Sequence, residues 1–101
     1  MTEKTRLRVV FMGTPAVAVP VLSAILDAGH EVVGVYTQPD RPAGRERSVL
    51  PTEVKLFAIQ RDLAVFQPAS LRRDEDALKG LKALAPDVIV VAAYGLFLPA
   101  V

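Results

Sequence analysis

At 101 residues the chain has room for one small domain. Twelve Lys and Arg stand against eleven Asp and Glu for a formal net charge of +1, so global electrostatics nominates no nucleic-acid partner and any basic signal has to be local. The absence of cysteine excludes a disulfide scaffold and any Cys-based zinc site, and makes an intracellular protein the plain expectation.

The N-terminal stretch MTEKTRLRVV leads into only a short apolar run before Gly13 and Pro15, which fits neither a signal peptide nor a membrane span. Leu7 to Met12 (LRVVFM), β-branched and aromatic and halted by Gly13-Thr14-Pro15, predicts a buried first strand. A helix is expected over Ala16 to Ala28. Val21, Leu22, Ile25 and Leu26 give it an apolar face, Gly29 suits the position past its end, and Pro20 is tolerable only in its first turn.

Val32 to Tyr36 (VVGVY) predicts the second strand. Pro51 is placed to open a second helix with Val54, Phe57 and Ala58 on one face. Leu63 to Phe66 predicts a short third strand. Asp74 to Leu84 predicts a third helix, with acids in the first turn matching the positive end of the helix dipole and Leu78, Leu81 and Leu84 forming a stripe. Pro86 ends it. Val88 to Ala93 (VIVVAA) is apolar on both faces, as expected of a strand covered by helices on both sides, and the run to Val101 is broken by Gly95 and Pro99 before it could span a bilayer.

The order β-α-β-α-β-α-β predicts an α/β, Rossmann-like parallel sheet with right-handed crossovers and strand order 3-2-1-4. The switch point then falls between strands 1 and 4. It brings the turn at Gly13 beside the turn at Tyr94-Gly95, at the carboxyl ends of the strands where a ligand is expected.

A dinucleotide fingerprint needs G-x-G-x-x-G, whereas the stretch here is 13-GTPAVAVP-20, with one glycine and two prolines. No Walker sequence is present. His30, the only histidine, sits in the turn entering strand 2, at the opposite end of the sheet, and reads as structural. Asp27, Glu31 and Asp87 read as turn residues. Tyr94 and Phe97, in 93-AYGLFLP-99, either pack as core or wall a flat apolar pocket edged by backbone polar groups.

The segment 37-TQPDRPAGRERSVLP-51 differs from everything around it, with three arginines, three prolines and one glycine in fifteen residues. Loops beyond about 12–15 residues without regular structure are uncommon in compact domains and often functional. Arg41, Arg45 and Arg47 are donors suited to phosphate, and Gly44 lets the backbone reshape, while Asp40 and Glu46 dilute the charge. From composition, a solvated connector and a phosphate or RNA contact both stay open.

Taken together, FMGTP, AGHEVVGVYTQPDRPAGR, VFQPASLR and APDVIVVAAYGLFLP resemble the N-terminal part of the methionyl-tRNA formyltransferase family, from Leu7 to Val101. QPDRPAGR is the most specific element of the resemblance, because related formyltransferases with other acceptors generally lack it. The family transfers a formyl group from 10-formyltetrahydrofolate to the amine of initiator methionyl-tRNA, in the cytoplasm of bacteria or in organelles, as a monomer and without a metal.

The resemblance implies that Arg41, Gly44, Arg45 and Arg47 belong to a loop entering the end of the tRNA acceptor stem. It also implies that Tyr94, Gly95, Leu96, Phe97 and Leu98 contribute to the folate pocket, largely through backbone groups. Two departures stand out: Ala16-Val17 where the family often has an acidic-aromatic pair, and Glu46-Arg47-Ser48 where the loop often reads Gly-Lys-Lys.

The family's catalytic Asn-x-His pair and later Asp have no counterpart in this sequence, which contains no asparagine. Residues 1–101 are therefore expected to be the N-terminal part of a catalytic domain, without its remainder or the C-terminal tRNA-binding domain, and to be inactive alone. The alternatives are a formylfolate-dependent transferase or hydrolase with another acceptor, and a non-catalytic nucleotide- or RNA-binding module.

Overall fold

The computed structural model describes residues 6–43 and 48–95. Strand β1 (Arg8–Gly13) is followed by a single 3-10 turn (Ala16–Ala18), helix α1 (Val19–Asp27) and strand β2 (Glu31–Tyr36). Strands β3 (Arg41–Ala43) and β4 (Ser48–Leu50) come next, then helix α2 (Glu53–Gln60), strand β5 (Val65–Phe66), helix α3 (Glu75–Ala83) and strand β6 (Val88–Ala92).

The main sheet has the order β5-β2-β1-β6, and every neighbour pairs in parallel. In terms of the four predicted strands this is 3-2-1-4, the doubly wound arrangement, with its switch point between β1 and β6. A register shift between Val9 and Val10 pairs Val9 with Val32 but Val10 with Gly34. That irregularity changes the phase of β2, so Val32 and Val35, three residues apart, join the same core cluster.

The strands carry apolar residues on both faces because each face has its own core. On one, Phe11, Val32 and Val35 pack with Leu22 of α1 and with Val54 and Ala58 of α2. On the other, Val10, Met12 and Tyr36 pack with Leu71, Leu81 of α3 and Tyr94. Burial of these side chains is the main stabilising term, roughly 1.5–3 kcal/mol for each large one.

Both longer loop-to-helix junctions are capped. Thr52 accepts from the Lys55 amide at the start of α2, and Asp74 accepts from the Ala77 amide at the start of α3.

The structure departs from the sequence reading in four places. The first helix begins with the 3-10 turn and becomes α-helical only at Val19, so Pro20 falls in the first turn, where its missing N–H costs nothing. The third strand shrinks to two residues: Leu63 is still bonded back to Ala58 in the turn out of α2, and Ala64 meets β2 only through its carbonyl, which accepts from the Val35 amide.

Among the described residues, strand β6 is covered on one side only. Val88, Ile89 and Val91 are 40%, 42% and 48% exposed. Val90 and Ala92 pack towards α1 and α2, but the α3-side core, among the described residues, includes no side chain of β6. Finally, the Arg/Pro segment is not a plain loop: β3 and β4 pair antiparallel, with Arg41 opposite Leu50, Pro42 opposite Val49 and Ala43 opposite Ser48. A two-stranded ribbon accepts Pro42 because both of its strands are edges.

Candidate functional site

Parallel topology gathers the carboxyl ends of all four strands on one edge. There a hydrogen-bond network joins side chains that the sequence reading had not connected. Past β1, the Thr14 hydroxyl donates to the Tyr94 carbonyl at 2.8 Å and accepts from the Gln38 amide at 3.3 Å. The Gln38 side chain donates to the same Tyr94 carbonyl at 2.9 Å. Past β5, the Gln67 amide nitrogen donates to the Gln38 carbonyl at 3.1 Å and to Asp40 Oδ1 at 2.7 Å. Lys55 of α2 takes the other oxygen of Asp40, with Nζ 2.8 Å from Oδ2.

Two close approaches make this edge possible. A Cβ on Gly13 would lie 2.8 Å from the Ala92 carbonyl oxygen, from Ala18 Cβ and from the Phe11 ring, so only glycine lets β1 run beside β6 and turn away at once. At Gly95 the φ is +91°, and a Cβ would collide with Gln38 Nε2. Ala93 also has positive φ, +56°, so the chain is left-handed on both sides of Tyr94, at a cost of roughly 1–2 kcal/mol for the alanine.

The network also closes the foot of the β3/β4 hairpin. Thr37, fully buried, lies with its hydroxyl 2.7 Å from that of Thr52, and its amide donates to the Phe66 carbonyl. Thr37 leads towards β3 and Thr52 follows β4, so this bond joins the two ends of the excursion.

The positions implied by the resemblance fall as follows. The Tyr94 ring is 2% exposed and sits in the α3-side core, while its carbonyl is held by Thr14 and Gln38. Its hydroxyl has no hydrogen-bond partner among the described residues. Burial, and secondarily the neighbouring Tyr36, push its pKa up to about 12. Gly95 is exposed. Leu96, Phe97 and Leu98 lie outside the described residues, as do Gly44, Arg45 and Arg47.

Arg41 opens β3, directly after the residue that Lys55 and Gln67 hold. The Lys55 ammonium, then the Gln67 amide, keep the Asp40 carboxyl below the usual carboxylate range. Beside β5, a cavity of about 380 Å³ is bordered by Tyr36, Phe66, Gln67, Pro68 and Asp76.

The opposite edge is structural. His30 Nδ1 accepts from the Leu7 amide at 3.1 Å. Asp87 accepts from the Arg8 amide at 2.7 Å, and the Arg8 guanidinium caps the end of α3 through the Leu84 and Ala85 carbonyls. Among the described residues, no three or more His, Cys, Asp or Glu gather as a metal site would need, and no helix is long and apolar enough to cross a membrane.

Thr14, Gln38, Lys55 and Gln67 were missed from sequence. One signal was available: Gln-Pro occurs at 38–39 and again at 67–68, each time just past a strand. Proline stops the ladder there, and the glutamine offers a long side chain to the gathered edge.

Comparison with known proteins bears on what this frame serves. A family model described as "Formyl transferase" matches residues 6–101. The chain is 55% identical over 95 residues to a protein of Pseudomonas putida named methionyl-tRNA formyltransferase, covering 94% of this chain and 30% of that protein. A protein of the same name from Dehalococcoides mccartyi is 57% identical over 95 residues, with 92% and 30% covered. One from Pseudomonas syringae pv. tomato is 54% identical over 101 residues, with 100% and 31% covered. The chain thus spans about 30% of the length of these curated relatives. With the doubly wound sheet, its glycine-dependent edge and a family match running from Arg6 to Val101, the chain belongs to the formyl transferase family.

Proposed function

We propose that this chain is the N-terminal part of a methionyl-tRNA formyltransferase, which moves a formyl group from 10-formyltetrahydrofolate to the amine of initiator methionyl-tRNA. The observation that carries the reading is the extent of the similarity: it covers nearly all of this chain, including the Arg/Pro hairpin, in proteins bearing that name. The hairpin supports it physically. A narrow two-stranded arm standing at the ligand-binding edge, with three arginines in its fifteen-residue segment, suits an approach to a phosphate backbone.

In this reading Arg41, Gly44, Arg45 and Arg47 meet the acceptor end of the tRNA. The turn after β6 serves the folate donor. Tyr94 anchors that turn, because its ring is in the core and its carbonyl is committed, and the donor contacts fall to the main chain of Gly95, Leu96, Phe97 and Leu98.

The amine attacks the formyl carbon and the bond from that carbon to the folate nitrogen breaks. The proton lost by the amine is balanced by one gained at the folate nitrogen. The groups that stabilise the oxyanion and move the proton belong to residues outside this sequence. The reading places the enzyme in the cytoplasm as a monomer without a metal.

The test is tRNA binding by the full-length protein as salt is raised. Three phosphate contacts give a log–log slope of about −2 to −3, so a fourfold rise in salt weakens binding roughly fifteen- to sixtyfold. Arg45→Ala is expected to reduce that slope by about one contact and to leave folate binding unchanged. A slope equal to that of a hairpin-deleted protein would refute the assignment.

A further inference from the structure

Asp40 is the last residue before β3, and its carboxylate is held by side chains from two other parts of the fold. Lys55 reaches it from α2 and Gln67 from the end of β5. The same Gln67 nitrogen also holds the Gln38 carbonyl, so two of the three residues preceding the hairpin are fixed by one side chain. The returning strand is tied in as well, since Thr52 caps α2 and bonds Thr37.

We propose that Asp40, Lys55 and Gln67 are positioning residues for the arm: they fix the angle at which β3 and β4 leave the sheet edge, and through it the affinity for the RNA acceptor rather than for the formyl donor. The proposal rests on the reading that the arm meets the tRNA.

Three arguments carry it. The ion pair is a poor candidate for stabilising the core, because its side chains are 22% and 28% exposed and pairs near the surface contribute little to stability. Its leverage on geometry is larger. Ala43 lies three residues beyond Asp40, about 10 Å of extended chain, so a tilt of about 20° at the foot moves it by about 3 Å, enough to break a hydrogen bond. The clamp also governs charge. With one carboxylate oxygen on Lys55 and the other on Gln67, Asp40 has both oxygens engaged just ahead of the three arginines of the segment in sequence. Removing Lys55 frees one carboxylate oxygen, which can then pair with a guanidinium of the segment and compete with phosphate.

The experiment compares wild type, Lys55→Met and Lys55→Arg in the full-length protein. It reads the KM for methionyl-tRNA, the KM for the formyl donor, kcat, and hydrogen exchange at amides 41–50. Lys55→Met keeps the aliphatic stem and loses the charge. It is expected to raise the tRNA KM roughly five- to thirtyfold, with kcat and the donor KM within about twofold. Exchange across 41–50 should quicken, and Lys55→Arg should recover most of the loss.

Equal rises in both KM values with a lowered unfolding midpoint would mean a merely structural pair and overturn the proposal. So would faster exchange with an unchanged tRNA KM. Formylation of methionyl-tRNA by the wild type reports separately on the proposed function. Unchanged exchange at 41–50 in Lys55→Met overturns the positioning claim whatever the acceptor.

Discussion

Gly95→Ala tests whether the turn after β6 is held as described. The glycine has a φ of +91°, and an added Cβ would strike Gln38 Nε2, the atom that donates to the Tyr94 carbonyl. Two costs follow. Placing an alanine in the left-handed region costs roughly 1–2 kcal/mol. Displacing the Gln38 amide costs about 1 kcal/mol more, a modest figure because Thr14 still satisfies the Tyr94 carbonyl. The sum is about 2–3 kcal/mol, read from urea unfolding of the full-length protein.

A double-mutant cycle separates the two parts. In a Gln38→Ala background the obstructing amide is gone, so Gly95→Ala should cost only the backbone part, leaving a coupling of about 1 kcal/mol. A loss below about 0.5 kcal/mol for Gly95→Ala alone, or strict additivity with Gln38→Ala, would refute the description of this turn.

Further outcomes follow from the same edge. Thr52→Ala removes the α2 cap and leaves the buried Thr37 hydroxyl without its partner, a loss of about 2 kcal/mol by urea unfolding; Thr52→Ser keeps both bonds, and equal losses in the two variants would contradict the role. Tyr94 has its folded-state pKa raised to about 12, so the neutral phenol favours the folded state. That contribution is whole below the ordinary tyrosine pKa of about 10 and is lost as pH climbs towards 12, on the order of 2–3 kcal/mol in all. Phenolate absorbance, compared with Tyr94→Phe, checks it, and titration near 10 would refute the burial. Asp40 is shifted the other way, its folded pKa lying below the unfolded one, so its contribution is whole above about pH 4 and fails only as pH falls below that. Exchange at amides 41–50, corrected for intrinsic rates, should therefore show constant protection from pH 8 to about 5; protection already falling within that range would contradict the clamp.

The sheet was legible because apolar β-branched runs such as 7–12, 32–36 and 88–93 have few other uses, and the Gly, Pro and acidic punctuation between them marks helices. Strand order followed from handedness and connection rules once the alternation was seen. What stayed hidden depends on tertiary placement. The switch point did bring the turn at Gly13 beside the one at Tyr94-Gly95, as the Thr14–Tyr94 bond shows, but the side-chain network of Gln38, Asp40, Lys55 and Gln67 around it follows no local pattern, and nothing in the sequence pairs position 40 with 55 or 67. The hairpin was missed because Arg, Pro and Gly are poor strand formers, and its ladder of three residue pairs relies on a foot held by Thr37, Thr52 and Asp40. The exposure of β6 was equally out of reach, since an apolar run states what a strand can bury and not what lies against it.

The measurement that bears most directly on the whole account is formyl transfer by the purified full-length protein. It would be supplied with 10-formyltetrahydrofolate and offered methionyl-tRNA, a sugar amine, a ribonucleotide amine and water alone. The account predicts formylmethionyl-tRNA as the dominant product, with its formation depending on Arg45 through the tRNA KM and not through the donor KM. Consumption of the donor with the formyl group going to a small amine or to water, and none to methionyl-tRNA, would contradict it.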